Sequence, residues 1–508
     1  MRLMFAILCM HMIVPLLEAA APRDAAAPPN VVIFITDDES WLERSAYGWS
    51  TLPTPAFDRV AREGVLFTHG YTSAPSCAPS RASLLTGRNF WELEQGAFIQ
   101  AWLPKKFPVL PDLLKEAGYH VGHTGKGWGP GVFPTEGHGK DSAGTHYNRI
   151  RFAHPEAGTS GIDYAANFVK FLNQRPVDAP FFFWVGVVEP HGPWAENNWQ
   201  KLLKTGFPTE EVPVPGFLPN TPGIRRERAN ILYEIHYADL RLAEILQVLE
   251  EQGELDNTLL IVTSDNGTAI PRSKASPYDW GVHEPLAIMW PKSVPSGRVV
   301  EDFVNFPDLA PTILESAGVD IPEGMSGRSI LDLLKSDKEG WVEEDRDFVV
   351  TGLEWHGEFD PINLSHRTIR DKRYAYIRNF HENPGQDQDA TLFLPDAQFD
   401  ETAKTAPLSQ LLLKHPNAPQ LATYKAALLG PRQLEELYDL EADPWQLTNQ
   451  IDNPEFAEIR DRLKAKMHEY QLQTDDPRAT GEMELFEETR EFVQDRKRKG
   501  YSRTKSVK

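Results

Sequence analysis

The chain has 508 residues, 41% of them hydrophobic and 25% charged. These fractions exclude a disordered or collagen-like polymer and leave room for roughly two to four domains, or one large α/β domain with an appendage. Lys and Arg total 52 against 73 Asp and Glu, a formal net charge of −21. That excludes a nucleic-acid binder working through a global basic field, and it requires a local basic pocket for any polyanionic ligand.

In chain order, the first residues form an export pattern. Arg2 supplies a positive n-region, Leu3 to Leu17 is apolar apart from His11, and Ala19, Ala20 and Ala21 offer small residues for cleavage. The run is too short for a typical transmembrane helix, so a signal peptide is predicted over 1–21. The mature chain is expected to be periplasmic, secreted or lumenal, with no stable membrane association. Of the two cysteines, Cys9 leaves with the signal and Cys77 remains alone. No intrachain disulfide can form. A lone thiol in an oxidising compartment is buried, paired elsewhere or chemically used.

Residues 22–29 are Ala/Pro-rich and read as a linker. Val31-Val32-Ile33-Phe34-Ile35 is a continuous apolar run of strand length that ends in Thr36-Asp37-Asp38. Two more such runs follow. Phe181 to Val188 ends in Glu189-Pro190-His191, and Leu259 to Thr263 ends in Ser264-Asp265-Asn266. Continuous apolar runs suit strands buried on both faces of a parallel sheet, and polar residues at their carboxyl ends mark a site there. Helices are predicted over Leu110 to Gly118, along the stripe Ile231, Ile235, Ala238, Leu242, Ile245, Leu249 up to Gly253, and over Pro307 to Gly318. Beyond residue 350, Arg367-Thr368-Ile369 and Tyr374-Ala375-Tyr376-Ile377 read as antiparallel strands, 383–430 as loop, and Phe456 to Tyr470 as a helix. The division is an α/β domain over 30–350, an α+β subdomain over 351–490 and a basic, disordered tail over 491–508.

Pro79 and the helix formers after it place Cys77 at or just before a helix N-terminus, where negative charge is favoured; Arg81 lies one turn on. Asp37, Asp38, Asp265 and Asn266 are hard oxygen ligands at strand ends, suited to Ca²⁺ or Mg²⁺ rather than zinc.

Cys77-Ala78-Pro79-Ser80-Arg81, the strand ending in Asp37-Asp38, and Ser264-Asp265-Asn266-Gly267 together resemble the type I sulfatases of the alkaline-phosphatase-like superfamily. The resemblance covers nearly the whole mature chain. Gly125-Lys126 matches the position of a catalytic lysine, and Leu437-Tyr438-Asp439-Leu440 with Asp443-Pro444 and Asn449 is similar to the C-terminal signature. Pro219-Asn220-Thr221-Pro222, Glu284-Pro285-Leu286 and Thr474-Asp475-Asp476-Pro477 are similar to the sulfamidase (heparan N-sulfatase) branch.

The resemblance implies an α/β sandwich with a large central mixed, mostly parallel sheet and a smaller C-terminal antiparallel sheet. It implies that a formylglycine-generating enzyme converts Cys77 to formylglycine. Asp37, Asp38, residue 77, Asp265 and Asn266 would hold Ca²⁺, with Mg²⁺ the alternative. Asp265 would accept a proton from the hydrated nucleophile, Arg81, Lys126 and Lys274 would counter developing charge, and His191 would protonate the leaving group of a sulfated saccharide. His356 and Arg367 are expected to reach the sugar. One departure stands out. Many members carry a histidine two residues after the lysine, where this chain has Trp128. That asks His123 or His138 to replace it, or makes Trp128 the wall of a sugar subsite. Phosphonate or phosphate monoester hydrolysis is the alternative enzymatic reading, and a degenerate carbohydrate-binding relative the non-enzymatic one.

Overall fold

The structure, a computed structural model, describes residues 27–356, 365–381, 411, 415 and 417–495. The expected signal peptide, most of the 383–430 stretch and the chain from 496 onward lie outside the described residues. Residues 491–495, expected in the tail, instead complete the helix Glu484–Asp495, whose Phe486, Thr489 and Val493 are buried.

The main sheet has eight strands. They are β1 (Asn30–Thr36), β2 (Val65–Phe67), β4 (His120–Gly125), β5 (Thr145–His146), β6 (Phe181–Gly186), β7 (Thr258–Ser264), β8 (Leu286–Met289) and β9 (Arg298–Val300), in the order β5-β4-β6-β1-β7-β8-β2-β9. A two-residue β3 (Gly70–Tyr71) pairs separately with β10 (Val304–Asn305). Neighbours from β5 to β7 are parallel; β8 runs antiparallel to both β7 and β2. The sheet is therefore mixed and mostly parallel, as expected.

The apolar runs explain why these strands sit at the centre. Side chains alternate across a strand. Val31, Ile33 and Ile35 join Phe182, Trp184, Leu259 and Ile261 in one core, while Val32 and Phe34 join Phe181, Phe183, Val185, Leu260 and Val262 in the other. A strand that feeds two cores must be apolar at every position. Helices cover both faces. Cys77–Thr86 and Leu309–Ser316 pack on the first core; Pro55–Glu63, Tyr164–Leu172 and the later turns of Pro222–Glu251 pack on the second.

The second sheet is β11 (Phe348–Leu353), β12 (His366–Asp371), β13 (Tyr374–Asn379) and β14 (Glu435–Asp439), antiparallel throughout. The helix Ala457–Gln473 covers it with Leu463 and Met467. These share a core with Phe90, Trp91 and Phe98, which fastens the second sheet to the first domain. Among the described residues no helix is long and apolar enough to cross a membrane.

Candidate active site

Parallel pairing sets Thr36 opposite Ser264, so β1 and β7 end at the same level. The chain turns sharply after β1, with Asp38 in the left-handed region at φ 75°, a conformation that Asp tolerates better than most residues. The turn is held by the other strand's end. Asp38 N–H donates to Asp265 Oδ1 (3.1 Å), and Asn266 Nδ2 donates to Asp38 Oδ1 (2.7 Å). Cys77 is the first residue of a fully buried ten-residue helix, and its Sγ lies 3.6 Å from Asp37 Oδ1. Asp37, Asp38, Cys77 and Asp265 each present a ligand atom within 4.8 Å of the others.

Three cations enclose this group. Lys126 Nζ donates to both oxygens of Asp37 at 2.6 Å, and Lys274 Nζ to Asp38 Oδ2 at 2.7 Å. Arg81 Nε donates to Asp265 Oδ2 at 2.7 Å, with Nη2 3.8 Å from Asp37. The lysine is aimed by its backbone. Lys126 N–H donates to Gly186 O (2.8 Å), and its carbonyl accepts from both Arg81 Nη1 (2.7 Å) and Trp184 Nε1 (2.9 Å). The approach is so close that a Cβ on Gly186 would lie 1.8 Å from that carbonyl.

The electrostatics balance. Burial alone would push the Asp37 carboxyl up, but Lys126, His191, Arg81 and Lys274 hold it well below the usual carboxylate range. Burial pushes Asp265 up against Arg81, and the neighbouring Asp37 adds to that rise. Burial also pushes the Cys77 thiol up, so an unmodified thiol is a poor nucleophile here. Three carboxylates face three fixed cations, and Asn266 Oδ1 is buried with no partner. An orphaned amide oxygen beside three carboxylates is a donor set that fits a hard divalent cation. Adding one would turn a neutral group into an anion receptor.

His191 follows β6. Its Nδ1 faces Gly192 O at 2.7 Å, which makes Nδ1 the protonated nitrogen of the neutral ring and leaves Nε2 as the atom that exchanges a proton. Nε2 lies 3.9 Å from Asp38 Oδ2, and one ring nitrogen is within 4.8 Å of both Asp37 and Cys77. His356 is buried, with Nδ1 3.0 Å from the hydroxyl of Ser76, the residue before Cys77. Of the residues expected in the site, the structure thus gathers Asp37, Asp38, Cys77, Arg81, Lys126, His191, Asp265, Asn266 and Lys274, with His356 at its edge.

Other expectations need correction. Trp128 is 3% exposed and packs in the first core against Phe133, so it walls no sugar subsite. Arg367, expected to reach the sugar, is fully buried, and its guanidinium is held by Asp476 (2.7 and 2.8 Å) and Glu354 (2.7 Å). His123 is buried in β4 facing Gly144 O, and His138 faces Phe107 O; neither takes the place that Trp128 leaves.

Sequence reading missed the supports. Trp184 is hidden inside an apolar run. Glu39 and Glu43, just past the Asp pair, are fully buried and ion-paired to Arg44 and Arg228. Glu284 is fully buried with neither oxygen bonded, and burial followed by the nearby Asp265 pushes its carboxyl far above the usual range. A cluster of acids beside an Asp-Asp turn was the available signal.

Residues 29–319 match the family model described as sulfatase, and residues 273–389 match that of the N-sulphoglucosamine sulphohydrolase C-terminal region. The chain is 29% identical to a human N-sulphoglucosamine sulphohydrolase over 498 residues, covering 89% of this chain and 91% of that one. It is 27% identical to an ulvan-active sulfatase of Formosa agariphila over 440 residues, covering 86% and 78%. Among solved structures, it resembles a protein determined in complex with its substrate D-glucosamine-2-N,6-O-disulfate, with a TM-score of 0.65 and 20% identity over 88% of this chain and 98% of that one. The cysteine-led helix, the paired strand ends and the first three strands of the second sheet fall within the two family matches, and the chain belongs to the sulfatase family.

Proposed function

We propose that the chain is an exported sulfatase that hydrolyses sulfate esters or sulfamates of a sulfated carbohydrate, with a formylglycine derived from Cys77 as its nucleophile and Ca²⁺, or alternatively Mg²⁺, as its metal. The observation that carries the reading is the charge-balanced cluster around the first residue of a buried helix. A hydrated aldehyde at residue 77 would supply one hydroxyl to attack sulfur and a second to expel sulfate. The cation, held by Asp37, Asp38, Asp265, Asn266 and residue 77, would supply Lewis-acid charge.

The chain's own groups do the rest. Asp265 accepts a proton from the nucleophile, and Arg81, Lys126 and Lys274 oppose charge on the sulfuryl oxygens. In its imidazolium form His191 delivers the Nε2 proton to the leaving oxygen or nitrogen and keeps the Nδ1 proton on Gly192 O. The names of the relatives, one acting on N-sulphoglucosamine and one on ulvan, support a sulfated saccharide as substrate. The test is a peptide mass across residue 77 in protein from its native host, followed by a screen of sulfated saccharides. The expected result is a loss of ~18 Da from the cysteine peptide and turnover of a sulfated sugar. Unmodified Cys77 in fully active protein, or faster turnover of phosphate monoesters than of every sulfated sugar, would overturn the reading.

A further inference from the structure

Near the loop that carries Lys274, the side chains of Trp41, Phe217, Trp280, Trp445, Arg272 and Gln446 line a cavity of about 10 Å³, room for one water-sized body. Three buried N–H groups of these residues have no partner: Arg272 Nε, Trp280 Nε1 and Gln446 Nε2. Trp280 is 3% exposed and Gln446 2%. A buried unmet donor is costly, and three around one cavity call for an occupant.

The orientation of two of these donors is fixed by the other bonds of their side chains. Asp279 N–H donates to Gln446 Oε1 at 2.8 Å, so the amide must turn its NH₂ the other way. Arg272 gives Nη1 to Ala427 O at 2.9 Å and Nη2 to Gln446 O, which leaves Nε–H over. Among the lining side chains the one acceptor left to an occupant is the Tyr278 oxygen. Gln446 Oε1 is engaged, and the Tyr278 hydroxyl is turned to Glu436 at 3.1 Å. A water oxygen accepts two hydrogen bonds and must place two hydrogens of its own; an anion accepts from all three donors and places none. The one formal charge on the lining is the positive charge of Arg272; the Glu436 carboxylate that acts on it is bound by the Tyr278 hydroxyl.

We propose that this cavity is a monatomic anion site that takes chloride. Arg272 stands two residues before Lys274, and Gln446 belongs to the segment that follows β14. The ion would therefore clamp the C-terminal signature to the loop that delivers a cation to Asp38.

The test uses the full chain. Crystals soaked in sodium bromide are read for anomalous scattering, and thermal unfolding is compared in sodium chloride and sodium gluconate at equal ionic strength. The expected result is a bromide peak within about 3.5 Å of the three nitrogens and a Tm about 1–3 °C higher in chloride. That difference should vanish in Gln446→Leu, or in Trp280→Phe should the first variant fail to fold. A cavity holding water with no bromide peak, or equal Tm in the two salts, overturns the proposal. Neither result depends on catalysis, so the sulfatase reading stands or falls separately.

Discussion

Lys126 Nζ lies 2.6 Å from each carboxylate oxygen of Asp37, so a cation suited to countering sulfate charge rests on a carboxylate suited to holding metal. The two roles compete for Asp37. Lys126→Ala is expected to lower kcat/KM by about 100-fold or more. Its calcium affinity, read by titration calorimetry, should be unchanged or tighter, because the variant removes a rival of the ion. A parallel loss of calcium binding would show that the lysine builds the metal site.

Asp476 and Arg367 make the opposite case, a charged pair with a structural task. Removing Asp476 leaves Arg367 with Glu354 as its remaining carboxylate partner, at a cost of about 1.5–3 kcal/mol for the charge-assisted hydrogen bonds given up. Asp476→Ala should lose stability of that order in urea unfolding, while KM for a sulfated saccharide stays unchanged at temperatures where it is folded. A raised KM with unaltered stability would return Arg367 to the sugar.

Trp128 offers a similar contrast. Trp128→Ala opens a large cavity and should cost about 3–5 kcal/mol. Trp128→Phe should be mild, because the indole N–H has no partner to lose. Neither variant is expected to alter the KM of a folded sample.

Acid should weaken the fold through a buried histidine stack. His69 lies beside His283 and Trp341, and burial, followed by Arg370, lowers its pKa to about 3. An unfolded histidine titrates near 6.5. Below that pH the unfolded chain gains a proton that the folded one refuses, so the contribution is full above about 6.5 and declines toward about 3, at up to ~1.4 kcal/mol per pH unit. His69→Asn, which can keep a donor toward Glu301 O, should make stability between pH 6 and 4 fall less steeply. An unchanged slope in urea midpoints would count against this assignment.

The same contrasts show what a sequence discloses. β1, β6 and β7 were legible because a strand between two cores has no polar position until it ends, and the ends are where Asp37, His191 and Asp265 stand. Cys77 was legible because proline and helix formers announce a helix start. Arg367 was not, because its partner Asp476 lies 109 residues away and nothing local distinguishes a paired arginine from a free one. Trp128 was misplaced for a related reason: a large ring two residues after Lys126 suits a wall or a core equally until the fold surrounds it.

The helix that Cys77 opens is buried at all ten of its positions. A catalyst as large as a protein cannot reach a side chain that the finished fold has enclosed. On the proposed reading, an enzyme that converts that thiol must therefore act on a chain still unfolded. Folding and modification then run as a race with one irreversible finish. A sequence change that hastens packing of this helix would lower the fraction of molecules modified without touching any residue that contacts substrate.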